Sequence, residues 1–404
     1  MYAVVTQDRL TKATYSGDSR VANNGTSTYG YDKNGNRITE SFTTEADVKT
    51  KDITYSFDAN DQLTNISDTA ESSSTTISYD QLGNLTQKAK TQGATTDTTD
   101  YVYDVRNQLK QVQIGGSTVG QFLYDANGLR THKTETLNSI TSQKRYHYQN
   151  LNVIGESDED GNALFNYYHD GQTIIGREDA QADSNDLDKL QSYHHDSLGS
   201  IALISKTDGS LNARYQYDAF GNVQNESGNS ENNDYTYTGH ERDQATGLIY
   251  AKARYYDPQL GLFLSRDPFE GYDNTPMSLH RYLYAYQNPN KYVDPDGREP
   301  ITLTAIAIYA GWSGLNAGIN TGIDYGFHKI FGDEGDEFNL GENYATNFAI
   351  SAATGGVGAY AKHAPKVKKV GEAAVEFSGE VYKEYTANKE DGASFWQAAG
   401  DTAI

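Results

Sequence analysis

The residues of this chain that could do chemistry are carboxylates. Three Asp-Pro steps, Asp257-Pro258, Asp267-Pro268 and Asp294-Pro295, fall within 40 residues, the last inside Asp294-Pro295-Asp296-Gly297, and Arg266 and Arg281 stand near them. Two carboxylates held close cannot both ionise cheaply, so one stays protonated as an acid while the other serves as a base toward water. A nearby arginine keeps the base ionised and steadies a developing oxyanion. The same tetrapeptide is also a good type I turn, with Asp first, Pro fixing φ second and Gly fourth, and an arginine beside it is an ordinary ion-pair partner. Other chemistries find less support. There is no cysteine, so disulfides, thiolate metal sites and cysteine nucleophiles are excluded. His328 and His363 lack metal-ligand spacing, no phosphate-binding Gly-Lys loop occurs, and no motif requires a cofactor. Calcium binding through Asp32, Asn34 and Asn36, or through Asp158 and Asp160, lacks the Gly and distal Glu of a calcium loop.

The elements that must position these residues are strands. An aromatic or isoleucine, one residue, a second aromatic and Asp recur as Tyr29-Gly-Tyr31-Asp32, Tyr55-Ser-Phe57-Asp58, Ile77-Ser-Tyr79-Asp80, Tyr101-Val-Tyr103-Asp104 and Phe122-Leu-Tyr124-Asp125, with steps of 26, 22, 24 and 21 residues between the aspartates. Each Asp leads into a turn and a hydrophobic restart, as in KNGNRI, QLGNL and ANGLR. Asn-Gly and Gly-Asn accept positive φ, so each unit predicts two short antiparallel strands. The alternation continues to Tyr215-Gln-Tyr217-Asp218. One such unit cannot bury its own face, but neighbours laid edge to edge form a sheet that spirals or closes. The 32 tyrosines suit this role, with the ring packed and the hydroxyl wet. A formal charge of −22 disfavours broad nucleic-acid binding.

The repeats over residues 29–225 are similar to the YD repeats of the rearrangement hotspot (Rhs) family, whose relatives include toxin-complex C components, wall-associated contact toxins and animal teneurins. From Tyr235 to Gly297 the chain resembles the Rhs repeat-associated core, in Thr246-Gly247-Leu248-Ile249-Tyr250, Ala253-Arg254-Tyr255-Tyr256-Asp257-Pro258, Gly261-Leu-Phe263-Leu264-Ser265-Arg266-Asp267-Pro268, Arg281-Tyr282-Leu-Tyr284 and Tyr292-Val293-Asp294-Pro295-Asp296-Gly297. The resemblance implies a mainly β fold in three parts. Residues 1–234 would form an incomplete spiralling antiparallel shell, hollow in the family. Residues 235–297 would be the core that caps it, and 298–404 a variable, mostly helical C-terminal segment.

It also implies aspartyl-type self-cleavage near Gly297 and Arg298, with Asp294 as the central carboxylate, Arg281 its charge partner and Asp267 or Asp296 the second acid. Arg298 departs from the Leu that many members carry there. The expected function is a polymorphic-toxin shell that encloses or presents its own C-terminal domain as cargo in competition between bacteria. An immunity protein and a delivery machine are its implied partners. Export would follow a non-Sec route, since the N-terminus shows no signal peptide, with the chain cytoplasmic before delivery. Two readings compete: a non-enzymatic surface or adhesive repeat protein that binds a partner or carbohydrate, and a toxic enzyme in residues 298–404. In that last part Ala310, Gly314, Gly318 and Gly322 lie four apart, as in a close-packed helix pair. A membrane hairpin across 301–361 is disfavoured by its Thr, Ser and Asn content.

Overall fold

The computed structural model describes residues 2–302, apart from 7, 17–23, 171–172, 188, 231–232, 272–275 and 299. The first compact unit ends at Ile306. The expected helical pair beyond residue 302, its membrane alternative there and both C-terminal histidines lie outside the described residues.

Twenty strands, from Tyr2–Thr6 to Val223–Gly228, form one antiparallel sheet in which every strand pairs with its neighbours in sequence. The two end strands are not paired with each other, so the sheet is not a barrel. Three details of the repeat build it. The Asp of each unit turns its carboxylate back onto its own hairpin: Asp80 Oδ1 accepts from the amides of Leu82 and Asn84, both at 2.9 Å. Asp32, Asp58, Asp104, Asp125, Asp196 and Asp218 make the same pair of bonds. The carboxylates considered for calcium, Asp32 and Asp158, are likewise engaged by their own turns.

The first aromatic of each motif points inward and is buried, from Tyr29 to Tyr215. The second reaches back one hairpin: Tyr31, Tyr103, Tyr124, Tyr148 and Tyr217 donate their hydroxyls to the carbonyls of Leu10, Leu85, Leu109, Arg130 and Ile201 at 2.5–3.1 Å. Just before each such turn the ladder slips by one residue, as between Gly30 and Tyr31 or between Ser78 and Tyr79. A bulge there bends the strand and strengthens its twist, so every hairpin carries its own increment of curvature.

The accumulated curvature brings the sheet around on itself. Ala219 N donates to Tyr15 Oη at 2.9 Å, Phe220 packs edge-on against Tyr29, and the Arg37 guanidinium lies 4.5 Å above the Phe220 ring. The last hairpin therefore meets the second and third strands through side chains, without strand pairing. Asp8, beside the first hairpin, binds Lys291 and Tyr292.

Residues 235–297, where described, pack against the inner face of this circuit. Leu248, Tyr250, Tyr255, Leu260, Leu262, Leu264, Tyr282 and Leu283 share one apolar cluster with the inward residues of the strands from Tyr55 to Phe122. Tyr235 joins a second cluster with Tyr146, Tyr167, Tyr193 and Tyr215. The inward face also carries cations. In the restarts KNGNRI and ANGLR the buried residue is Arg37 or Arg130, not the hydrophobic one, and Ile38 sits half-exposed at the bulge. Arg130 Nη1 meets both oxygens of Asp243 at 2.9 Å, and its Nη2 meets Glu241 at 2.6 Å. Lys133 reaches Asp234 and Glu241, and Lys88 reaches Asp257 at 2.6 Å. Arg37 Nη2 donates to the Leu260 carbonyl at 2.7 Å. A buried cation without a partner is very costly, so the segment that brings these carboxylates belongs inside.

The segment leaves the sheet through short pieces: Glu241–Arg242, Ile249–Tyr250, Tyr255–Asp257 and Leu262–Phe263 pair in order as a small antiparallel sheet. Tyr292–Val293 pairs with Ile301–Thr302. This corrects one expectation, since Ile301 and Thr302 were assigned to the start of a helical stretch and are extended instead. Between these two strands the chain folds back on itself, and that fold-back holds Asp294 to Arg298.

Replacing Asp80 by Ala removes both amide contacts of one turn. Equilibrium urea unfolding of the variant is expected to show a loss of about 2 kcal/mol, since bonds to a charged acceptor are worth about 1.5–3 kcal/mol. An unchanged midpoint would show that the turn carboxylates do not hold the hairpins.

Candidate functional site

The fold-back is held from one side by residues 251–254. Ala251 N donates to the Arg254 carbonyl at 2.9 Å and Ala253 N to the Ala251 carbonyl at 2.8 Å, which makes a tight loop with Lys252 at φ 63°. The loop carries Arg254 into the interior, where its guanidinium lies 3.7 Å above the Phe263 ring.

Arg254 is the hub of the site. Its Nη2 is 2.8 Å from Asp267 Oδ2 and 3.5 Å from Asp294 Oδ2, so one guanidinium nitrogen serves both carboxylates. Its Nε donates to the Gly297 carbonyl at 2.5 Å, and Nη2 also reaches the Arg298 carbonyl at 3.2 Å. Asp294 is fully buried, and its Oδ1 accepts from the amides of Gly297 at 2.9 Å and Arg298 at 3.0 Å. The peptide bond between Gly297 and Arg298 is therefore gripped at both ends, its oxygen by Arg254 and its nitrogen by Asp294.

Burial pushes the Asp294 carboxyl up to about 6, with Asp296 adding to the rise and Arg254 and the two amides opposing it. Burial also raises Asp267, against the pull of Arg254. The site thus holds two acids of raised pKa on one cation, the arrangement in which one carboxyl keeps its proton and the other gives it up.

The residues named from the sequence divide as follows. The structure brings Asp294 and Asp267 together across Arg254. Asp296 lies at the rim, its Oδ1 accepting from the Arg298 amide at 3.2 Å. Arg281 does not meet the Asp294 carboxylate. Its guanidinium binds the backbone carbonyl of Asp267, through Nε at 2.7 Å and through Nη2, while its own carbonyl accepts from Asp267 N. The expected pairing of Arg281 with Asp294 is thus corrected: among the described residues the arginine on Asp294 is Arg254. The signal for Arg254 lay within Ala253-Arg254-Tyr255-Tyr256-Asp257-Pro258, already part of the resemblance, but nothing in the spacing of 40 residues ties it to Asp294. His240 and Lys252 also touch the fold-back and were not anticipated.

Comparison with known proteins adds the following. Residues 57–95 match the RHS Repeat family model and residues 192–291 the Teneurin YD-shell model. The chain is 34% identical over 290 residues to the tRNA nuclease WapA of Bacillus subtilis, covering 71% of this chain and 11% of WapA. It is 28% identical over 243 residues to Double-stranded DNA deaminase toxin A of Burkholderia cenocepacia, covering 54% and 16%. Among solved structures it resembles the TcdB2-TccC3 crystal structure, at 21% identity and a TM-score of 0.39, covering 72% of this chain and 18% of that one. The chain spans about a ninth of the length of the WapA relatives it matches.

A carboxyl raised by the fold stabilises the fold only while protonated. The Asp294 contribution is complete below its unfolded pKa of about 3.8 and is lost as pH rises through about 6, a difference of about 3 kcal/mol. Thermal unfolding of the wild-type and Asp294→Asn chains between pH 4 and pH 8 is expected to show wild type losing ground to the variant over that interval. Parallel profiles would mean that Asp294 titrates normally.

Proposed function

Given that the chain belongs to the Rhs family of YD-repeat proteins, we propose that it is the C-terminal part of a polymorphic-toxin shell that presents the segment beyond Gly297 as cargo and frees it by hydrolysing its own backbone there. The observation that carries this reading is the grip on the Gly297–Arg298 peptide: Arg254 on the carbonyl oxygen and Asp294 on the amide nitrogen. Asp267, ion-paired to Arg254, is the second acid.

In the proposed reaction Asp267, ionised, takes a proton from water as the water oxygen adds to the Gly297 carbonyl carbon. Arg254 bears the charge that builds on the carbonyl oxygen. Asp294, protonated, gives its proton to the Arg298 nitrogen as the C–N bond breaks, leaving an amine at Arg298 and a carboxylic acid at Gly297 whose proton returns to Asp294. Lys252 and Arg254 also line a small crevice with Tyr103, Tyr124 and Ser265.

The carrier reading is supported by what the relatives share. One is named a nuclease and another a deaminase, while the stretch in common with this chain is only 11–16% of each. A shared part beside differing activities is what a carrier with exchangeable cargo produces. On this reading the shell leaves the producing cell by a dedicated machine and acts on a neighbour, and an immunity protein shields the producer.

The test is intact mass and denaturing gel analysis of the freshly made chain. Wild type is expected to yield two fragments that meet at Gly297–Arg298, with a rate that declines above about pH 6 as Asp294 loses its proton. Asp294→Asn and Asp267→Asn are expected to stay whole, whereas Arg281→Ala, which removes the guanidinium bound to the Asp267 carbonyl, slows the split without stopping it. A wild-type chain that stays whole would favour a structural shell without processing.

A further inference from the structure

The segment from Asp294 to Arg298 is gripped along its whole length. The Asp294 carbonyl accepts from His240 Nε2 at 2.8 Å, that of Pro295 from Lys252 Nζ at 2.9 Å, and that of Asp296 from Ala253 N at 3.0 Å. The Gly297 and Arg298 carbonyls go to Arg254, as described above. Five successive carbonyls are thus taken by donors drawn from His240 and the 252–254 loop.

These donors are buried in place for the task. His240 is enclosed, and burial pushes its imidazole down to about 4, so near neutrality it is uncharged and presents one N–H, which points at the Asp294 carbonyl. Lys252 is largely withdrawn from water and held in the left-handed region, which a lysine adopts only when the surrounding fold imposes it. Burial lowers its ammonium from the ordinary value, against the attraction of Asp296 and Asp294.

What the grip does not contact is as informative. All five bonds go to main-chain oxygens. The Arg298 side chain is exposed and takes no bond from the grip, although its charge bears on Arg254 and Asp267. At Gly297 the opposite holds: φ is +75°, and an added Cβ would lie 2.3 Å from the Ala251 carbonyl oxygen and 3.0 Å from Arg254 N. Both obstacles are backbone of the gripping loop and cannot swing aside.

We infer that His240 and the Lys252–Arg254 loop form a clamp that binds the chain's own 294–298 segment through its backbone, selecting glycine at 297 and remaining indifferent to the shape of the side chain at 298. His240 and Lys252 are positioning residues: they touch neither the peptide bond to be cut nor the two acids' carboxylates, and act by fixing the backbone that presents that bond. The inference rests on the processing reading for its consequence, but the clamp itself is a binding property.

The experiment takes the full chain as wild type, Lys252→Met, Lys252→Arg, His240→Gln, Gly297→Ala and Arg298→Leu, and follows two quantities. One is amide hydrogen exchange of peptides covering 294–298, read by mass spectrometry against distant hairpin peptides such as 77–92. The other is the rate of splitting at 297–298. Lys252→Met and His240→Gln are expected to speed exchange of 294–298 at least tenfold with the distant hairpins unchanged, and to slow splitting by a similar factor. Lys252→Arg, which keeps a cationic donor, is expected to recover most of both. Gly297→Ala should abolish splitting, and Arg298→Leu should alter neither quantity by more than threefold.

Unchanged exchange in both Lys252→Met and His240→Gln would overturn the clamp even if wild type splits. Splitting that depends strongly on the residue at 298 would overturn its indifference. If wild type never splits while the exchange results come out as expected, the clamp stands and the processing reading falls.

Discussion

A cation can be buried only if a carboxylate or a ring of acceptors is buried with it, and this constraint decides how the chain is put together. The sheet points Arg37, Arg130 and Lys133 inward with Lys88 half-buried, and although Glu40 and Glu135 of the sheet pair with Arg37 and Lys133, further partners come from outside the sheet. Asp234, Glu241, Asp243 and Asp257, with the Leu260 carbonyl, arrive from residues 234–260 and complete them. Each partner of Arg130 is within hydrogen-bond reach, and aromatic rings cover its faces, Tyr250 at 4.3 Å and Phe122 at 5.2 Å. The apolar clusters supply bulk attraction between sheet and filling, but they do not fix where along the sheet the filling sits. The charge pairs do, because a shift by one hairpin would leave several buried charges alone. Placement of the 251–254 loop, and with it Arg254, follows from this registration.

The site inherits its electrostatics from that placement. Were the loop at the surface, two aspartates near one arginine would be an exposed ion-pair network of small consequence. Buried, the same groups share one guanidinium, which lies 2.8 Å from Asp267 and 3.5 Å from Asp294, and burial pushes the Asp294 carboxyl up to about 6. The turn geometry of Asp294 resembles that of the repeat aspartates, which also cap two amides. The difference is the surroundings: Asp80 is half-buried and its Oδ2 accepts from the Asn84 side chain, whereas Asp294 is fully buried and its Oδ2 faces Arg254.

Much of this was legible in the sequence where the cause is local. The repeat Asp, its turn and the aromatic alternation are decided within about ten residues, so the hairpins and their order could be read directly. The filling segment was recognisable through motifs that stand together in the chain. What could not be read depends on contacts between distant residues. Arg130 passed for a turn residue beside Leu129, since nothing nearby reveals that Asp243 waits for it. Arg281 was named as the charge partner by the resemblance alone, whereas Arg254 reaches Asp294 by way of the small sheet that folds 255–263 back. Likewise Ile301 was joined to an uncharged helical stretch, and only its pairing with Val293 makes it a strand.

The bulge before each repeat turn has a consequence for how such chains can change over generations. Because curvature is written into every hairpin separately, duplication or loss of a hairpin far from the filling leaves its neighbours in the same geometry and alters only how far the spiral extends. Hairpins that carry Arg37, Lys88, Arg130 or Lys133 are different, for their position is counted from fixed carboxylates. Length is therefore free to drift at one end of such a protein while the stretch around the filling is locked in phase, as a ruler may be extended at its far end but not cut near its zero.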